Sequence, residues 1–176
     1  MATTKLKGNT VTLSGKDINV GDKAPAIKVV AKDLSEITVG GSSDAVQVII
    51  AVPSLDTAVC ASETRRFNAE AAKIKGATVT VVSMDLPFAM GRFCTTEGID
   101  NLSVGSDFRD KSFAKEYGIL IADGPLQGIS ARAIFVISKS GEVVYKELCE
   151  EITAEPNYEA ALCAINGATA SKCCNA

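Results

Sequence analysis

The 176-residue sequence is 47% hydrophobic and 5% aromatic, with a formal net charge of −3, the make-up of a soluble globular protein rather than a disordered chain. Acids and bases are interspersed without a Lys/Arg block and no apolar run reaches membrane-spanning length, so nucleic-acid and membrane partners are discounted. The absence of histidine excludes Ser-His-Asp and Cys-His catalysis outright.

The elements read as follows in chain order. Lys5–Leu13 alternates loosely, Ser14-Gly15 turns and Asp17–Val20 returns, which predicts an N-terminal hairpin extension over 1–20. Ala26–Ala31 and Glu36–Val39 are short strands. Val46–Val52 is a near-continuous apolar strand. Between Thr57 and Lys75, Cys60, Thr64, Phe67, Ala71 and Ile74 recur at helical spacing. Ala77–Ser83 is a second buried strand. Pro87 opens another helix that runs to about Glu97 and stops at Gly98.

Leu102–Ser106 follows as a strand and Asp110–Tyr117 as a helix. Ala131–Ser138 and Glu142–Leu148 form a hairpin, Asn157–Ile165 makes a last helix, and 167–176 is expected to be a loose tail. Parallel β-α-β units followed by an antiparallel hairpin predict an α/β architecture, a mixed central sheet flanked by helices, of thioredoxin-like type. One domain is expected over 1–176.

The six cysteines stand at 60, 94, 149, 163, 173 and 174. Met1–Gly8 lacks the apolar core of a signal peptide, so a cytoplasmic location is expected, where thiols stay free. Without a Cys-x-x-Cys pair, histidine or clustered cysteines in the body of the chain, no metal or cofactor is expected.

The stretch Pro53-Ser54-Leu55-Asp56-Thr57-Ala58-Val59-Cys60 carries the chemistry. It leaves an apolar strand and opens a helix, so Cys60 falls in the first helical turn. Free N–H groups and the helix dipole there favour an anion, and the thiolate is the reactive form of cysteine. Pro53 ends the strand and shields the sulfur. Thr57 is placed at the helix entrance to donate a proton to the sulfur or to an oxygen under attack. Asp56 and Glu63 oppose a negative sulfur, so a cation is required, and Arg132, at the head of an apolar strand, is the candidate.

Pro53-x-x-x-Thr57-x-x-Cys60 resembles the active-site motif of peroxiredoxins. Ser83-Met84-Asp85-Leu86-Pro87-Phe88-Ala89-Met90-Gly91-Arg92-Phe93-Cys94 resembles the second-cysteine helix of the bacterial thiol peroxidases, the atypical two-cysteine branch. Gly21–Pro25, Ser106–Arg109 and Gly128–Arg132 fit the same pattern, and the resemblance covers roughly residues 4–166. It implies that Cys60 is the peroxidatic cysteine and Cys94 the resolving one, with Pro53, Thr57 and Arg132 completing the pocket. It further implies hydroperoxide substrates, recycling of a Cys60–Cys94 disulfide by thioredoxin, and a homodimer. Ala58 departs from the proline usual in relatives, and Cys149, Cys163, Cys173 and Cys174 are outside the pattern.

Plainer readings stand beside these. Cys60 and Cys94 are small core hydrophobes, Thr57 is a helix cap, and Arg132 is a surface residue at a strand end. The same two cysteines also suit a peroxide-sensing redox switch acting through a partner. A thiol–disulfide oxidoreductase is disfavoured by the lack of Cys-x-x-Cys.

Overall fold

The computed structural model describes residues 2–170. Strands β1 (Thr3–Leu6) and β2 (Asn9–Ser14) form the N-terminal hairpin. Then come β3 (Ile27–Ala31), β4 (Glu36–Val39), β5 (Val46–Ala51), α1 (Ala58–Ala71), β6 (Ala77–Ser83), α2 (Pro87–Glu97) and β7 (Ser103–Ser106). The chain continues through α3 (Ser112–Glu116), β8 (Leu120–Ile121), β9 (Ala133–Ile137), β10 (Val143–Leu148) and α4 (Tyr158–Thr169). A seven-stranded mixed sheet has the order β10-β9-β5-β6-β7-β3-β4, and β1-β2-β8 make a smaller three-stranded one.

β5 runs parallel to β6, which runs parallel to β7; β9 lies antiparallel to β5. All six residues of β5 are buried, as its apolar run requires of a central strand covered on both faces. The two-residue period then divides the core. Val46, Val48 and Ile50 pack with Phe67 of α1, Met90 and Phe93 of α2 and Ile165 of α4. Ile49 and Ala51 point the other way, into a cluster with Leu13 of β2 and Phe113 of α3.

Three expectations shift. The hairpin turns at Lys7-Gly8, not at Ser14-Gly15. Lys7 (φ 50°) and Gly8 (φ 81°) supply the two positive φ angles that a tight two-residue hairpin requires. Gly15 serves a close approach instead, since a Cβ there would lie 2.1 Å from the Lys115 carbonyl oxygen. α1 ends at Ala71, short of Gly76, which turns the chain into β6 at φ 82°. α4 extends beyond Ile165 to Thr169, so the first residues of the expected tail are helical. Cys173 and Cys174 lie outside the described residues.

Candidate active site

β5 delivers the chain through Val52 and buried Pro53 into a short loop ahead of α1. Asp85 fixes this loop. Its carboxylate accepts from Ser54 Oγ (2.7 Å), the Leu55 N–H (2.7 Å) and Ser83 Oγ (2.7 Å). Ser130 Oγ adds a 2.9 Å bond to the Val52 carbonyl. In the sequence Asp85 stands only within the stretch that leads into α2.

Thr57 is the N-cap of α1. Its hydroxyl accepts from the Cys60 N–H at 3.4 Å and donates its own proton to the Ser54 carbonyl at 3.1 Å. The capping alternative therefore describes Thr57 in this structure, and its proton is committed away from the sulfur. Cys60 occupies the third position of the helix and is fully buried.

Arg132 reaches that sulfur. Register Ala51↔Ala133 sets the ends of β5 and β9 side by side, so the residue before Ala133 meets the turn that follows β5. Arg132 is 2% exposed, which removes the surface-arginine reading. Nη2 donates to Cys60 Sγ at 3.3 Å, Nη1 donates to Glu63 Oε2, and Nε donates to the Ile152 carbonyl at 3.0 Å. A buried guanidinium needs such a set of acceptors. Burial opposes its charge, but Cys60 and Glu63 more than compensate and hold it above the ordinary arginine range.

Glu63 lies one turn beyond Cys60 on the same helix face. The cation that its charge calls for is Arg132, which donates to both Glu63 and Cys60, so Glu63 also orients the guanidinium that touches the sulfur, a role the sequence does not display. It is fully buried, and its Oε1 has no partner among the described residues. Burial pushes its carboxyl up to about 7, against the pull of Arg132, with Glu147 and Glu155 adding to the rise.

The folded state thus holds a proton on Glu63 that the unfolded chain releases near pH 4.5. Stability conferred by this group is present below pH 4.5 and lost as pH rises to about 7. Glu63→Gln is expected to flatten that decline, read as the denaturant midpoint of wild type and variant across this pH range.

Cys94 lies on α2, 4% exposed, in the same core cluster as Cys60, Met90 and Phe93. Burial raises its thiol pKa. Both cysteines are free thiols on separate helices. Arg65–Glu97 at 2.7 Å ties the two helices; Asp56, in the loop ahead of α1, lies 3.8 Å from Arg92 of α2, and Asn68 Oδ1 of α1 accepts from the Asn101 N–H beyond α2 at 2.8 Å. Cys149 is 6% exposed, its thiol pushed up to about 12 by burial and Glu147. Cys163 is exposed.

A groove of about 930 Å³ opens beside the first turn of α1. Pro53, Thr57, Ala58, Val59 and Arg132 line it on the active-site side. Leu6 and Lys7 of the hairpin, Leu126, Ile129 and Ile152 line the remainder. Cys60 itself does not contribute to the lining, so the groove meets the sulfur through Arg132 and the α1 turn. Among the described residues no helix is long and apolar enough to cross a membrane.

Comparison with known proteins agrees with this geometry. The Redoxin family model matches residues 19–162. A thiol peroxidase of Leptospira interrogans is 56% identical over 170 residues, covering 96% of this chain and 99% of that protein. One from Aquifex aeolicus is 57% identical over 157 residues, covering 89% and 92%. The crystal structure of a peroxiredoxin-like protein from Aquifex aeolicus superposes with a TM-score of 0.92 at 53% identity, over 95% of this chain and 97% of that one. A thiol peroxidase from Chromobacterium violaceum shares the fold at 20% identity, TM-score 0.84, over 94% and 95%. The thioredoxin-like architecture, the buried cysteine at a helix mouth and this degree of identity place the chain in the Redoxin family, among the thiol peroxidases, which are peroxiredoxin-type oxidoreductases.

Proposed function

We propose that the chain reduces hydrogen peroxide and organic hydroperoxides through Cys60, with Cys94 as the resolving thiol and thioredoxin as the reductant. The observation that carries the reading is the buried guanidinium of Arg132, 3.3 Å from Cys60 Sγ and also facing the groove. The sulfur, as thiolate, attacks the terminal peroxide oxygen. The O–O bond breaks, the leaving oxygen departs with a proton as water or alcohol, and Cys60 becomes a sulfenic acid. Arg132 and the N–H groups at the mouth of α1 are donors fixed beforehand where negative charge develops, an arrangement worth about 3 kcal/mol per donor.

Cys94 then attacks the sulfenic sulfur and releases water, leaving a Cys60–Cys94 disulfide. A dithiol such as thioredoxin returns both thiols by exchange. The two buried cysteines start on separate helices, and a disulfide requires alpha carbons within about 7 Å, so the cycle includes local unwinding. The first turn of α1 also has to open for a peroxide to reach a fully buried sulfur. Ala58, at the first helical position where proline would stiffen the turn, supports that movement.

The composition of α2 supports unwinding there as well. Gly91, Cys94, Thr95 and Thr96 are poor helix formers. Gly91→Ala has room, the nearest atom to a new Cβ being Lys32 Cβ at 3.8 Å. It should stabilise the helix by about 1 kcal/mol and slow disulfide formation, by roughly fivefold if α2 opens fully first. Stopped-flow measurement of the resolving step, alongside the thermal midpoint, checks both.

The working form is proposed to be a cytoplasmic homodimer, as the family resemblance implies. Peroxide consumption coupled to thioredoxin and its reductase tests the whole reading. Continuous turnover is expected. Consumption that halts after one equivalent would favour the redox-switch alternative, in which the oxidised chain signals to a partner.

A further inference from the structure

The groove beside Cys60 is far larger than hydrogen peroxide needs, and part of its wall is the tip of the N-terminal hairpin. A two-stranded hairpin is marginal alone, and this one turns on Lys7, a non-glycine residue at φ 50°. β8 and the core hold its base, and one carboxylate holds its tip. Glu151 Oε1 accepts from the Lys7 N–H at 3.0 Å and Glu151 Oε2 from the Gly8 N–H at 2.9 Å. Oε1 also accepts from Thr153, from its N–H at 3.1 Å and its Oγ1 at 2.8 Å. These bonds hold the carboxyl at about 2, so it remains an anion throughout the working pH range.

Backbone bonds continue the joint. The Lys5 N–H donates to the Glu150 carbonyl and the Ile152 N–H to the Lys5 carbonyl, each at 2.8 Å. Glu151 therefore fastens the turn carrying Leu6 and Lys7 to the segment carrying Ile152 and Thr153, all four of which line the groove.

We propose that Glu151 is a positioning residue that holds the hairpin tip as a wall of the groove and thereby sets the preference for hydroperoxides bearing an extended apolar tail. The inference rests on the peroxidase reading and deepens it. A small peroxide engages only the Arg132 end. A long alkyl tail must bury itself against Leu6, Leu126, Ile129 and Ile152, and gains from the wall only while the wall stays in place. In Glu151→Ala the amides of Lys7 and Gly8 lose their acceptors, and the turn relaxes from its strained φ.

The test compares wild type, Glu151→Gln and Glu151→Ala on hydrogen peroxide and on a long-chain n-alkyl hydroperoxide, with amide hydrogen exchange measured on the same proteins. For Glu151→Ala, KM for the long-chain substrate is expected to rise roughly tenfold, the loss of about two methylene contacts. Its kcat, and both constants for hydrogen peroxide, should stay within about twofold. Glutamine keeps one acceptor oxygen and should fall between. Exchange at Lys7 and Gly8 should accelerate while α1 keeps its protection. Leu6→Ala, which shortens the wall and spares the clamp, should reproduce the KM effect.

An equal loss on both substrates would reduce Glu151 to general stability, and an unchanged long-chain KM or unchanged exchange at Lys7 and Gly8 would overturn the clamp. A wild-type protein that does not turn over hydrogen peroxide would instead sink the peroxidase reading and the substrate half of this one, and the exchange measurement would still decide the clamp.

Discussion

Cys60→Ser is expected to bring hydroperoxide turnover down to the uncatalysed background while leaving the fold intact. The substitution preserves the backbone N–H that Thr57 caps and changes one atom in the first turn of α1. What it removes is the nucleophile. A serine hydroxyl is a weak nucleophile at neutral pH unless a base takes its proton, and the sequence has no histidine to supply one. Glu63 makes no hydrogen bond to residue 60 that could take that proton; its link to the site runs through the Arg132 guanidinium, which is a donor only. Cys94→Ser, by contrast, should still allow one round of Cys60 oxidation and then recycle slowly. Appreciable steady turnover by Cys60→Ser would place the chemistry elsewhere in the chain.

Arg132→Met should lower kcat/KM by about a hundredfold to a thousandfold, the usual effect of losing one donor preset at developing negative charge. The side chain is nearly isosteric along its stem, so the groove keeps most of its shape. The stability effect is separable from the rate effect. Removing Arg132 strands Glu63, fully buried, and breaking a buried pair from one side costs about 3–5 kcal/mol where the remaining group is charged, which for a carboxyl already at about 7 beside Arg132 means above neutral pH. That cost should shrink at acid pH, where Glu63 is neutral.

Adding Glu63→Gln to Arg132→Met should recover stability above neutral pH, where Glu63 would otherwise ionise unpaired, without recovering rate. Arg132→Lys should remain slow, because one ammonium cannot span Cys60 Sγ, Glu63 Oε2 and the Ile152 carbonyl together. Peroxide kinetics and denaturant midpoints on the same four proteins separate the two contributions.

Much of this was legible in the residues. The apolar runs at 46–51 and 133–137 announced central strands. The helical recurrence of Cys60, Thr64 and Phe67 identified the face of α1 that is buried. Arg132, a charge heading an apolar strand, had to have a buried acceptor, and the β5–β9 register brought it to Cys60.

What was not legible depends on contacts between distant segments. Glu63 reads as a repelling charge until its oxygen is seen on the guanidinium, although its spacing of three from Cys60 was a usable signal. Asp85 and Glu151 act through backbone N–H groups of other segments, which sequence periodicity does not encode. The turn at Lys7-Gly8 escaped because lysine is an unusual residue at positive φ, and Glu151, far along the chain, is what holds it there.

Mass spectrometry of the reduced protein after one equivalent of hydrogen peroxide tests the central claim most directly. The account predicts a single intramolecular disulfide linking the Cys60 and Cys94 peptides, formed through a Cys60 sulfenic acid that can be trapped in Cys94→Ser. A Cys60 thiol left intact while peroxide disappears, or a Cys60 bridge to Cys149 or Cys163 in place of Cys94, would contradict it.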